Sequence, residues 1–115
     1  MITIYHNPRC QKSREGLQIV EESGKPFEVI EYLKYPMTAE ELSEIIEKLG
    51  IEPNELIRKN ESIWKENFKD QDTTMTPEIL IQVMIENRKL IERPIVVNGD
   101  KAVIGRPPEK IKEII

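Results

Sequence analysis

The sequence predicts an α/β domain with a mixed four-stranded sheet and a helical segment inserted between its two β-containing ends. Three observations lead there. The chain opens with an alternating, β-branched run, then a helical pattern, then a second extended run. Near its other end two β-rich runs flank Asn98-Gly99. The stretch between reads as helices.

In order, ITIY at 2–5 is the first strand, and Asn7-Pro8 ends it in a turn. Residues 10–22 form a helix with Leu17 and Val20 on one side and Ile19 flanking; Ser23 and Gly24 stop it. PFEVIEYL at 26–33 is the second strand, with Phe27, Val29 and Tyr32 toward cores. A connection through a helix sets these strands parallel. Thr38 and Glu41 make a capping box before the stripe Leu42, Ile45, Ile46, Leu49, and Gly50 ends that helix. Pro53 starts a short helix. A helical turn surrounds Trp64 and an exposed loop follows, with Trp64 and Phe68 as core. Thr76 caps a helix with Pro77 at its first position and an apolar face over 79–85 directed to core. RPIVV, NGD and KAVIG form a hairpin, and a final helix carries Ile111, Ile114 and Ile115. No linker divides the chain, so residues 1–115 are expected to form one domain, with the insertion at about 37–87.

The net charge of −4 argues against a general nucleic-acid or anionic-membrane surface, but leaves room for a small basic pocket. No apolar run approaches the ~20 residues that span a bilayer, and no signal peptide is visible. Cytoplasm is the default expectation. One cysteine and one histidine exclude an internal disulfide and make a metal site unexpected.

That cysteine, Cys10, stands at a helix start beside Arg9, Lys12 and Arg14. Unpaired helix N–H groups, the helix dipole and nearby cations all favour a thiolate, and the same N–H groups can cradle an oxyanion. The alternative is a packed cysteine acting as a small hydrophobe. CQKS is a C-x-x-C pattern with Ser13 in the second place, so a reaction begun at Cys10 needs an external thiol to finish it. His6 either assists the sulfur, as cation or base, or closes the loop by a hydrogen bond. Asn7 shapes the turn.

ITIYHNPRCQKSR resembles the N-terminal signature of the glutaredoxin-linked arsenate reductase family (ArsC-like). LIRKN with Arg58, ERPIVV with Arg93 and IGRPPE with Arg106 resemble its later motifs, in the same order. The resemblance implies a thioredoxin-like fold and conversion of arsenate to arsenite. It makes Cys10 the nucleophile and Arg58, Arg93 and Arg106 the oxyanion-binding groups. It sets His6 to assist the thiolate, Ser13 near the anion, and Pro94 as the proline, typically cis, that faces the active cysteine. It implies glutathione as co-substrate, glutaredoxin as partner, and no bound cofactor. Taken singly, each arginine also has a local explanation: a solvated helix charge for Arg58, a pair with Glu92 for Arg93, a cap for Arg106. Two other functions fit the same residues. One is a glutathione-dependent monothiol–disulfide oxidoreductase, suggested by C-x-x-S and by Arg9 and Lys12. The other is a non-enzymatic, RNA-polymerase-binding redox regulator of the same superfamily.

Overall fold

A computed structural model describes the backbone of all 115 residues and every side chain except those of Asp72 and Thr73. The chain divides into two units, Met1–Tyr35 with Arg93–Ile115, and Pro36–Glu92.

The first unit holds the sheet. Its strands are β1 (Ile2–Tyr5), β2 (Phe27–Ile30), β3 (Ile95–Asn98) and β4 (Lys101–Ile104), in the order β2-β1-β3-β4. β1 pairs parallel with β2 and antiparallel with β3, and β3 pairs antiparallel with β4. The parallel pair exists because helix α1 (Gln11–Glu22) carries the chain back across the sheet. The hairpin closes through Gly99-Asp100. Gly99 has φ 65°, and no residue other than glycine has positive φ among those described, which excludes a type I′ turn.

Period-two alternation sends Ile2 and Ile4 into a core with Val20, Val96 and Ile111, against which Leu17, Ile19, Phe27 and Val103 pack. Val29 departs from expectation: it shares the face of Ile4 but is 41% exposed. β2 is an edge strand, so its side chains have a neighbour strand on one side only. The chain closes in a 3₁₀ helix, Pro108–Glu113, rather than an α-helix. Pro107 and Pro108 donate no N–H at its start, yet Ile111 still reaches the core.

Two glycines pack closely against Pro94. A Cβ placed on Gly16 of α1 or on Gly105, just after β4, would lie 2.9 Å from Pro94 Cγ and 2.9 Å from Ile111 Cδ1. A side chain at either place must displace Pro94 or Ile111. The Gly105 N–H donates to the Pro94 carbonyl at 2.9 Å. The Arg93–Pro94 and Arg106–Pro107 peptide bonds are both cis.

The second unit is helical: α2 (Ala39–Leu49), α3 (Pro53–Leu56), α4 (Ser62–Asn67) and α5 (Pro77–Glu86), with 3₁₀ turns at Lys69–Thr74 and Arg88–Leu90. The helical turn expected around Trp64 is α4, and the loop expected after it is a 3₁₀ turn; the exposure expected of residues 72 and 73 lies outside the described side chains. Thr38 Oγ1 accepts the Glu41 N–H at 3.1 Å, one half of the expected capping box. The Glu41 carboxylate meets the Thr38 hydroxyl at 3.4 Å in place of the backbone N–H. A full box forms between Glu52 and Glu55 instead. Gly50 ends α2 with φ 68°. Thr76 caps α5, whose Leu80, Val83 and Met84 are buried, whereas Ile79, expected in the core, is 48% exposed. Trp64 is buried, with its ring centroid 5.7 Å from that of Phe68. Among the described residues no helix is long and apolar enough to cross a membrane.

Gly105→Ala is expected to cost about 1–3 kcal/mol, because the Cβ meets Pro94 and Ile111, both fully buried. Gly16→Ala is expected to cost less, since alanine recovers up to ~1 kcal/mol of helix propensity. Thermal unfolding followed by circular dichroism checks both the sign and the order.

Candidate active site

The loop after β1 is organised by Asn7, which is buried. Its Oδ1 accepts the Arg9 N–H at 3.0 Å, its carbonyl accepts the Cys10 N–H at 3.0 Å, and its own N–H donates to Ser13 Oγ at 3.0 Å. An Asx turn thus winds directly into the first turn of α1. Arg14 Nη1 donates to the Pro8 carbonyl at 2.9 Å and ties the helix back to the loop. Cys10 occupies the N-cap position with extended backbone angles, φ −98° and ψ 123°.

Around the half-buried Cys10 sulfur two arginines from the far end of the chain converge. Arg106 Nη2 donates to Sγ at 3.5 Å, and its Nε donates to the Arg93 carbonyl at 2.8 Å. The Arg93 guanidinium also acts on the sulfur, in the sense that favours the thiolate. Burial by itself would raise the thiol's pKa. The Ser13 N–H and the guanidiniums of Arg93 and Arg106 outweigh it, and the net pKa lies below the ordinary thiol value. The Ser13 N–H acts here by proximity to the sulfur, without the geometry of a capping hydrogen bond.

The cations adjacent in sequence do something else. Lys12 Nζ pairs with Glu15 at 3.6 Å, and Arg14 serves the Pro8 carbonyl. The charges that act on the sulfur come from residues 93 and 106. His6 is buried, with Nδ1 2.7 Å from Ser13 Oγ. Burial, assisted by Arg14, lowers its pKa; Glu31, Ser13 and Glu21 act in the opposite sense without reversing the shift. The ring is therefore neutral near pH 7 and supplies no charge to the thiolate. What it holds is Ser13, fully buried below the sulfur-bearing turn.

Arg58 lies in the other unit, beyond the end of α3. Its Nη1 donates to Glu92 at 2.6 Å and its Nε lies 3.4 Å from Glu61, with the side chain 17% exposed. It is thus no solvated helix charge, and Glu92 pairs with Arg58. Asn7 shapes the turn as expected, through three hydrogen bonds, and the influence of Glu31 on His6 was not foreseen. The N-P-R-C spacing signals the first, since an asparagine two residues before an N–H forms an Asx turn. Nothing local signals the second. Among the described residues, no three His, Cys, Asp or Glu side chains gather where they could hold a metal ion.

A family model described as the ArsC family matches residues 5–114. The chain belongs to the ArsC family. An uncharacterised Escherichia coli (strain K12) protein, YfgD, is 47% identical over 115 residues, covering 99% of this chain and 96% of its own. An arsenate reductase of Haemophilus influenzae is 41% identical over 116 residues, covering 99% and 98%. The solved structure of an arsenate reductase from Vibrio cholerae superimposes with a TM-score of 0.94 at 42% identity, covering 99% of this chain and 97% of that one. The ArsC chain described here accordingly has a thioredoxin-like fold: a mixed four-stranded sheet, a cysteine after the first strand, and an inserted helical segment.

Because the folded thiol has the lower pKa, the thiolate forms at lower pH than in a free thiol. Iodoacetamide should alkylate Cys10 with a titration midpoint below that of free cysteine, and Arg106→Ala should move that midpoint upward. The same shift links to stability: the contribution is complete above the unfolded thiol's pKa and is lost as pH falls through the folded pKa. Urea unfolding across that window should show a slope that Cys10→Ser removes.

Proposed function

We propose that the protein reduces arsenate to arsenite, with Cys10 as nucleophile and external thiols as the reductant. The observation that carries this reading is the placement of two guanidinium groups, from Arg93 and Arg106, on one sulfur whose pKa is depressed. A redox thiol alone needs only the helix start. Two fixed cations at the same sulfur suit a nucleophile that must approach an anion.

Arsenate is anionic near neutral pH, so it repels a thiolate. Arginine offsets that repulsion at any working pH, and its planar fork matches paired oxyanion oxygens. As the anion arrives, the guanidiniums exchange part of their hold on sulfur for hold on oxygen. Cys10 Sγ then forms a bond to arsenic while one arsenate oxygen leaves, protonated, as water. Glutathione displaces a second oxygen of the arsenic(V) adduct as water. A further thiol then attacks the glutathione sulfur, forming a disulfide and leaving the S–As electron pair on arsenic. Water cleaves the remaining Cys10–arsenic bond. Glutaredoxin supplies the further reducing equivalent, arsenic takes up two electrons, and arsenite is released. Overall, arsenate and two external thiols give arsenite, one disulfide and water, with Cys10 regenerated. The lone cysteine is compatible with this sequence, because each further sulfur comes from outside the chain.

Reduced protein with arsenate, glutathione, glutaredoxin and a reductant should form arsenite. Cys10→Ser should abolish the reaction. Arg106→Ala should lower kcat/KM by about 10²–10³, the loss typical of removing one oxyanion-stabilising donor. Disulfide reduction that proceeds without arsenite formation, and is indifferent to Arg106→Ala, would replace this reading with the monothiol oxidoreductase.

A further inference from the structure

We propose that a cavity beside the Cys10 loop seats the zwitterionic amino-acid end of the small thiol co-substrate, an inference that rests on reading the protein as a thiol-dependent reductase. The cavity, about 240 Å³, lies between the loop after β1 and the segment after β2. Pro8 and Leu33 give it apolar walls, and His6 forms part of its inner side. Three charges border it: Arg9, Glu31 and Lys34. Glu31 and Lys34 are held as a pair at 3.5 Å, within a turn closed by the Lys34 N–H on the Glu31 carbonyl at 2.9 Å. The Arg9 backbone is fixed by Asn7 Oδ1, while its side chain has no hydrogen bond or ion pair among the described residues.

Two cations and one carboxylate around an apolar floor are the complement of an α-amino acid group. Its carboxylate is met by Arg9 and Lys34, its ammonium by Glu31. A tetrahedral oxyanion would leave Glu31 opposed and the apolar walls unused. A γ-glutamyl group bound this way leaves its side-chain amide to run toward the sulfur. The span from that group to the thiol of a γ-glutamyl-cysteine unit is about two residues' reach, ~7 Å. Pro8 and Arg9, which line the cavity, immediately precede Cys10 in the same loop, so the extended thiol arm has the reacting residue as its neighbour.

Sheet order supports a division of approach. β1 lies between β2 and β3, with β2 parallel and β3 antiparallel to it. The end of β2 and the start of β3 therefore stand at the same end of the sheet, on opposite sides of the Cys10 loop. Arg93 precedes β3, whereas the cavity is on the β2 side. The oxyanion and the second thiol thus reach Cys10 from different sides and do not compete for one cation set.

S-Methylglutathione, whose sulfur cannot form a disulfide, is titrated into reduced protein and followed by NMR. His6 is the only histidine, so its imidazole signals report on the cavity without overlap. Saturable shifts at His6, Arg9 and residues 31–34 are expected, with affinity weakened about tenfold in Lys34→Glu. In turnover, Lys34→Glu should raise the KM for glutathione and leave that for arsenate unchanged. Absence of the shifts, or equal affinity in Lys34→Glu, overturns the proposal. If the wild type forms no arsenite while the shifts are present, the reductase reading falls and the cavity assignment stands; arsenite formation without the shifts has the opposite meaning.

Discussion

The Arg106 guanidinium is the constraint on which the site depends. It reaches back across the chain to Cys10 Sγ while its Nε is anchored on the Arg93 carbonyl. One planar group thereby fixes three things at once: the loop before β3, the segment after β4 and the sulfur after β1. Anchoring through the backbone of Arg93 also sets where the second guanidinium starts. Lysine could supply a charge there, but no second donor with a fixed angle to the first.

The sulfur sits in a balance that its surroundings tip. Half-burial opposes ionisation, and a bare thiol in that position would titrate high. The Ser13 N–H and two cations reverse the outcome. His6 belongs to the same balance at one remove. Held neutral by burial, it braces Ser13, whose hydroxyl also receives the Asn7 N–H. His6, Asn7 and Ser13 thus form one hydrogen-bonded network beneath the turn, so the sulfur's position is set by several contacts rather than by one.

Much of this was legible from the sequence because its causes are local. Strand alternation in ITIY, threonine caps at Thr38 and Thr76, Gly50 at a left-handed C-cap and Asn98-Gly99 in a hairpin each act within a few residues. Cys10 at a helix start is of the same kind. Partner choice was not local. Arg93 and Arg106 follow from the family resemblance, whereas the cations beside Cys10 in sequence were given a role they do not have. Lys12 and Arg14, beside the sulfur in sequence, turn to Glu15 and Pro8, while residues 93 and 106 supply the charge. Glu92 pairs with Arg58, 34 residues away in the chain. Val29 and Ile79 follow the right periodicity but remain exposed, because pattern gives the face of an element and not how far its cover extends. The terminal 3₁₀ helix and the Glu52–Glu55 box were unread for a simpler reason: short segments carry too few residues for a period.

Pro94 gives the site a property that neither arginine could supply. Gly16, on the helix that begins at Cys10, and Gly105, the residue before Arg106, both rest against its ring. Nucleophile and cation are thus gauged from a common datum. Warming or breathing that displaces the proline carries both supports along with it, so their separation drifts less than the absolute position of either. The protein keeps its alignment in the way a surveyor's two marks stay true when cut into the same stone.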